Sequence, residues 1–169
     1  METLKAIETR RSIRKFTSQK ISNEKIETIL KAAMYAPSAM NYQPWHFLVL
    51  EKREDIDKIS RINPHAEVML AAQAAIIICG DSKAEINTDY LVQGCSAATQ
   101  NALLTLHDLG LGGVWVSSYP NKDIIEGIQK YYGLPENIIP ISIIAIGYPD
   151  EVKVSEERYH SDKIHKNRW

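Results

Sequence analysis

Four short apolar runs alternate with longer segments of helical periodicity, and this alternation restricts the possible fold more than any other feature. The runs are predicted strands and cover residues 46–50, 74–79, 112–116 and 141–146. Strands that alternate with helices favour a parallel α/β sheet, so the pattern alone predicts that arrangement. At 169 residues, the chain is expected to form one domain with a substantial core.

The segments between the runs carry the signals of helices. Ser22 can cap a helix whose apolar residues recur at the spacing of one helical face, and Pro37 ends it. The stripe consists of Ile26, Ile29, Leu30, Ala33 and Met34. The longest predicted helix covers residues 89–109 and is closed by Gly110. Its middle, residues 94–99, is made almost entirely of small residues, which suits a core helix or one covered by a second subunit.

Composition excludes several classes of protein. The 20 basic and 21 acidic side chains give a net charge of −1, so the chain as a whole is not suited to bind nucleic acid. Cys79 and Cys95 are the only cysteines and form no CxxC pair, which predicts buried free thiols. The N-terminus lacks a signal-peptide pattern and no apolar run is long enough for a membrane span. We therefore expect a cytoplasmic protein without a membrane partner, and the dispersed histidines predict no metal site.

A basic stretch near the N-terminus allows two interpretations. Residues 10–15 contain four cations and the hydroxyl of Ser12. The plain interpretation is a solvated basic turn, whereas the functional one is an anion site, because guanidinium groups match phosphate oxygens two at a time. A second basic group, Lys163, Lys166 and Arg168, lies at the other end of the chain, and chain termini are often close together. The two basic groups could bind one phosphate together, but the sequence does not decide between a solvated turn and an anion site.

A loop and a glycine cluster add further signals. Residues 36–45 contain few charges but include Ser38, Asn41 and Gln43, which both donate and accept hydrogen bonds and so suit the edge of a heterocycle. The simpler interpretation is a connection held open by two prolines. The glycines in residues 110–113 lead into a strand rather than a helix, so they are not a dinucleotide-binding fingerprint.

Residues 10–16, 36–45 and 109–115, taken together and in order, closely resemble the FMN-dependent nitroreductase family. The resemblance continues to the end of the chain. It implies an α+β, three-layer nitroreductase-like fold, with a mostly antiparallel central sheet wrapped by helices, in an intertwined homodimer that binds FMN at the subunit interface. It implies one FMN-binding domain over residues 1–169, with a C-terminal extension of about 150–169 that docks on the partner subunit.

The resemblance also implies an activity. The chain would be an NAD(P)H-dependent flavin oxidoreductase that reduces nitroaromatic, quinone or similar small-molecule acceptors by ping-pong hydride transfer through flavin N5. FMN would carry the chemistry, so no catalytic side chain is expected. The alternatives are alkene reduction or dehalogenation within the same family and, from another class, a non-redox phospho-ligand-binding protein. The sequence does not distinguish NADH from NADPH.

The family's cofactor contacts can be carried over to matching positions of this chain. Contacts to the phosphate and ribityl chain would come from Arg10, Arg11, Ser12 and Arg14, and Lys166 and Arg168 would close on the phosphate. Contacts from the partner subunit would come from Pro37, Ser38, Ala39, Asn41 and Gln43. Backbone groups of Trp115, Val116 and Ser117 would face the ring, with one N–H directed at N5.

Two acidic or polar segments remain without a predicted role. In longer family members an Asn and a Lys before the second strand touch the ring, but residues 63–68 of this chain contain no Lys, so those contacts stay unassigned. Glu151, Glu156 and Glu157 lie in a polar stretch and are predicted to be surface residues.

Overall fold

The computed structural model describes residues 1–169 as an α+β fold of five α-helices and four strands. The helices are α1 (Thr3–Thr9), α2 (Asn23–Met34), α3 (Arg53–Ile62), α4 (Thr88–Asp108) and α5 (Lys122–Tyr132). The strands are β1 (Trp45–Leu50), β2 (Ala74–Asp81), β3 (Gly112–Ser117) and β4 (Ile138–Gly147). Short 3₁₀ turns occur at Ala39–Asn41, Glu67–Leu70 and Ser161–Lys163. None of the helices combines the length and the hydrophobicity that crossing a bilayer requires.

The four strands form one sheet in the order β1-β2-β4-β3, and every neighbouring pair is antiparallel. The parallel sheet predicted from the alternation of strands and helices is therefore wrong, and the antiparallel sheet implied by the family resemblance is confirmed. The alternation misleads for a physical reason. β2 and β3 do run in the same direction on either side of α4, but β4 inserts between them in the opposite direction.

Both faces of the sheet are covered by helices, so the fold has three layers. Helices α2 and α4 cover one face and helices α3 and α5 cover the other. Alternate residues of β2 face the two helical layers. Ile76 and Ile78 pack in one core, and Ala75 and Ile77 pack in the other. Burial on both faces explains why β2 and β4 are continuous apolar runs rather than alternating ones.

Strand β4 begins three residues before the predicted start at residue 141. Pro140 lies inside the strand, opposite Cys79. The pairing between β2 and β4 shifts register between Ile78 and Cys79. A proline has no N–H to donate, and an irregular position of this kind accommodates it.

The predicted helix ends are confirmed where they depend on local chemistry. Ser22 accepts a hydrogen bond from the Lys25 N–H at 3.4 Å, and Gly110 follows α4 with φ of 73°. In the small-residue stretch of α4, Gly94 faces the loop after α2, and an added Cβ would lie in ordinary van der Waals contact, 3.5 Å from the Ser38 Cβ. Helix α4 is thus a core helix that also supports this loop.

The two cysteines are buried free thiols, as predicted. The Cys95 thiol donates to the Cys79 carbonyl oxygen at 3.6 Å. Burial raises the pKa of both thiols to about 12, which keeps them protonated and unreactive at neutral pH.

Candidate functional site

A cavity of about 870 Å³ lies between strand β3 and the segment that follows α3. Its lining residues are Arg14, Lys15, His65, Glu67, Val68, Leu70, Ala71, Val114, Trp115, Val116 and Ser117. The volume lies in the range of small-molecule sites. The cavity combines an apolar wall with three basic side chains and one carboxylate, so it suits a flat ligand that carries negative charge.

The outer edge of β3 supplies backbone hydrogen-bonding groups to this cavity. The Gly113 carbonyl accepts from the Ile13 N–H at 3.1 Å, and the Ser117 carbonyl accepts from the Asn63 amide at 3.0 Å. Both carbonyls therefore face away from β4. Because backbone groups alternate along a strand, Trp115, which lies between them, also directs its N–H and C=O outward. Trp115 thus offers an unpaired donor and acceptor to the cavity that it lines.

The N-terminal basic stretch reaches the cavity by pairing with the same strand. Ser12 forms an isolated parallel bridge with Gly113, so the basic stretch meets β3 near the start of the strand. An added Cβ on Gly112 would lie 2.8 Å from the Ile13 Cβ, so only glycine permits this approach. Arg14 and Lys15 consequently line the cavity.

The arginines of the basic stretch occupy different environments. Arg14 is exposed at the cavity, whereas Arg11 is half-buried and donates to the carbonyls of Glu8 and Arg10 at 2.8 and 2.7 Å. Arg11 also donates to the Ser155 hydroxyl. Burial lowers the pKa of Arg10, and the charges of Arg11 and Arg158 lower it further. This concentration of positive charge favours an anion beside Arg10, while the Arg11 donors are largely used within the chain.

Glu151 contributes to the site although it was predicted to be a surface residue. Its carboxylate accepts from the N–H groups of Arg14 at 2.6 Å and Lys15 at 3.2 Å, and it pairs with Lys153 at 2.9 Å. Only 14% of the side chain is exposed, so the surface prediction is wrong for this residue. The Arg14 hydrogen bond, followed by the Lys153 hydrogen bond, holds the pKa of Glu151 at about 2. The carboxylate thereby fixes the backbone of the two cavity-lining cations.

Acidification is expected to weaken the fold through Glu151. The folded-state pKa is depressed from 4.5 to about 2, so the stabilisation is present above pH 4.5 and is lost as the pH falls towards 2. The Glu151→Gln variant should lose less stability between about pH 6 and pH 3 than the original protein does, by about 1 kcal/mol. Urea unfolding at several pH values measures this difference. Glu156→Gln is the matched control at an exposed carboxylate, and an equal pH dependence in all three proteins would contradict the assignment.

The loop after α2 has an unusual backbone. Met40, Asn41 and Gln43 have φ of 48°, 57° and 49°, in the left-handed region that non-glycine residues seldom adopt. The Ser38 hydroxyl accepts from the Gln43 N–H at 2.9 Å and stabilises this shape. Strained backbone is often found at functional sites.

The loop does not reach the cavity of its own chain. None of the cavity-lining residues comes from residues 37–43. Instead, Asn41 and Gln43 are exposed, and Met40 presents 82% of its surface to solvent. The predicted ligand contacts of Pro37, Ser38, Ala39, Asn41 and Gln43 therefore require a site on another chain.

The C-terminal segment, residues 152–169, is exposed over its whole length. Trp169 is fully exposed and stacks only on His165, with ring centroids 4.1 Å apart. The Lys166 and Arg168 side chains make no hydrogen bond or ion pair in this chain. Their predicted phosphate contacts stay a prediction.

Comparison with known proteins places this arrangement in a family. The sequence matches the Nitroreductase family over residues 7–75 and 61–148. A protein of Methanothermobacter thermautotrophicus, provisionally named NADH dehydrogenase/NAD(P)H nitroreductase, is 44% identical over 169 residues, which are 100% of this chain and 88% of the relative.

Solved structures show the same fold. An FMN-dependent nitroreductase of Clostridium difficile has a TM-score of 0.92 and 28% identity, over 99% of this chain and 100% of that one. A protein of Desulfovibrio desulfuricans, provisionally described as a nitroreductase and solved in complex with FMN, has a TM-score of 0.85 and 30% identity, over 100% of this chain and 99% of that one.

Proposed function

The chain belongs to the nitroreductase family, and from this premise we propose that it binds FMN in the cavity between β3 and residues 65–71. It is an NAD(P)H-dependent flavin oxidoreductase with FMN as its cofactor. One observation carries the location of the site. The unpaired backbone of Trp115 lies in the cavity-lining part of β3, and the cation of Arg14 lines the same cavity.

The residues that line the cavity fit a flavin. The Trp115 N–H and C=O can pair with a ring edge on which acceptors and donors alternate. Arg14 supplies positive charge, which suits the pyrimidine end of the ring, and Val68, Leu70 and Ala71 form an apolar wall for the ring face. FMN would supply the chemistry of hydride transfer between NAD(P)H and an oxidised acceptor, while the protein would supply position and electrostatics.

The proposed acceptors are nitroaromatics, quinones or similar flat molecules. Leu70 lines the cavity and is 56% exposed, so it offers an apolar surface to an aromatic ring at the entrance. Lys15 and His65 are also exposed there and can hold a polar substituent such as a nitro or carbonyl oxygen. Lys15 and His65 would bind such an oxygen whatever ring carries it. The cavity therefore suits a broad range of acceptors.

The proposal is tested on purified protein by its visible spectrum. We expect protein purified with FMN to show a flavin absorption band that is bleached by NADH or NADPH without air. The band should return when a quinone or a nitroaromatic compound is added. Protein that stays colourless after incubation with FMN would contradict the proposal and would favour a non-redox phospho-ligand-binding protein instead. Comparing the bleaching rates identifies the preferred donor.

Steady-state kinetics are expected to follow a ping-pong pattern. We expect NAD(P)H and the acceptor to enter the same cavity in turn, because the proposed flavin site lies in one cavity between β3 and residues 65–71. Double-reciprocal plots at several fixed acceptor concentrations should therefore give parallel lines. Intersecting lines over a wide range of both substrates would show a ternary complex and would argue against a shared opening.

We also propose that the active unit is a homodimer in which each chain completes the partner's site. The loop at residues 37–43 faces away from its own cavity, and the C-terminal segment exposes Val152, Val154 and Trp169, which are 94%, 80% and 100% exposed. Docking of the tail on the partner would cover them and could bring Arg168 to a phosphate.

A further inference from the structure

The wall of the cavity opposite β3 is held at both of its ends. Residues 63–72 form this wall, and three of them, Ala66, Met69 and Ala72, are fully buried in the core beneath it. At the far end, the Arg53 guanidinium donates to the carbonyls of Ala72 at 2.6 Å and Met69 at 2.5 Å. At the near end lies Asn63, which is only 1% exposed.

The Asn63 side chain connects this wall directly to β3. Its amide nitrogen donates to the Ser117 carbonyl at 3.0 Å, and its amide oxygen accepts from the His65 N–H at 3.0 Å. The two halves of the amide therefore have different partners, and reversing the amide would break both hydrogen bonds. Ser117 and Trp115 lie on the same outer edge of β3, two residues apart. The side chain thus links the wall to the strand edge that offers its free backbone to the cavity.

The fold itself does not depend on this link. Strand β3 pairs with β4 along all six of its residues, and the wall is anchored by Arg53 and by its buried side chains. What the Asn63 amide adds is a fixed separation between two elements that are each already held. That separation is the width of the cavity that a flat ring would enter.

We propose that Asn63 is a positioning residue for the flavin ring, because its amide sets the width of the cavity between β3 and residues 65–71. This inference rests on the proposed FMN site. Asn63 would act through the Trp115 backbone and the wall, so its side chain need not touch the ring. A positioning role of this kind should affect FMN and riboflavin alike, since both carry the same ring and only FMN carries the phosphate.

The experiment compares Asn63→Ala with a matched control. The control is Gln129→Ala, which removes an amide that donates to the carbonyls of Glu136 at 3.4 Å and Ile138 at 3.1 Å, away from the cavity. We expect Asn63→Ala to raise the Kd of both flavins about tenfold, the effect of losing about 1.4 kcal/mol. The resolved shoulders of the bound flavin spectrum should also blur, because the ring becomes less ordered. Gln129→Ala should leave both properties unchanged.

A second variant keeps the experiment decisive if Asn63→Ala folds poorly. Asn63→Asp preserves an oxygen for the His65 N–H but places an ionised carboxylate against the Ser117 carbonyl. When protonated, the introduced carboxyl can donate to that carbonyl in place of the amide. Riboflavin affinity of this variant should therefore approach that of the original protein as the pH is lowered.

Original protein measured over the same pH range corrects for the other charged or ionisable side chains that line the cavity, Arg14, Lys15, His65 and Glu67. Burial raises the pKa of a carboxyl group, so the recovery is expected near or above the ordinary range of Asp.

The outcomes separate this inference from the proposed function. If the original protein binds FMN but Asn63→Ala matches Gln129→Ala in flavin affinity and spectrum, the positioning role is wrong and the FMN site stands. Loss of affinity for FMN alone would also overturn it, since the effect would then concern the phosphate. If the original protein binds no flavin, the proposed function itself fails.

Discussion

Refolding an Arg10→Ala Arg14→Ala chain together with an Asn41→Ala Gln43→Ala chain is expected to restore activity far above that of either variant alone. In a homodimer of either variant, both sites carry two damaged residues. In a mixed dimer, one site carries all four substitutions and the other carries none. Random pairing makes about half of the dimers mixed, so roughly a quarter of all sites should be intact.

This expectation follows from where the structure places the two groups of residues. Arg14 lines the cavity of its own chain, whereas Asn41 and Gln43 are exposed on a loop that does not reach it. Each variant refolded alone is the control for recovery caused by refolding. Verified mixed dimers with no gain in activity would contradict the shared site, and so would a flavin-loaded, active monomer in sedimentation analysis.

The Arg168→Ala variant is expected to bind FMN about 10 to 150 times more weakly, while its affinity for riboflavin stays unchanged. A hydrogen bond to a charged group contributes about 1.5–3 kcal/mol, which corresponds to this range. Arg168 is exposed and makes no contact that would explain a role in folding of its own chain. Its guanidinium is therefore available to a phosphate when the tail docks.

Titration calorimetry of apoprotein with each flavin measures the effect of Arg168→Ala. Arg61→Ala is the matched control, because Arg61 is an exposed arginine on α3 that does not line the cavity. An equal loss for FMN and riboflavin would show that Arg168 acts on folding or dimerisation instead of the phosphate.

The elements of the fold could be predicted from the sequence because their signals are local. The apolar run of β2, the Ser22 cap and the turn at Gly110 each depend on residues that are close together along the chain. The order of the strands could not be predicted in this way. It depends on β4, the last strand, inserting between β2 and β3, and periodicity carries no information about which strands pair.

The candidate site likewise contains residues that could be predicted from the sequence and residues that could not. Arg14 and Trp115 lie in recognisable segments, and the structure brings both to one cavity. Glu151 and Asn63 could not be recognised. Their partners lie 137 and 54 residues away in sequence, and a single carboxylate in a polar tail or a single amide after a helix has no distinguishing pattern. Contacts from a partner subunit are likewise invisible in one chain.

A crystal structure of the FMN complex would show whether FMN binds between the free edge of β3 and residues 65–71. We expect the ring in this cavity, with the Trp115 N–H within hydrogen-bonding distance of it. Residues 37–43 of the partner subunit should close the same site. A flavin bound at another cavity, or bound here without a contact to the β3 backbone, would contradict the proposed FMN site.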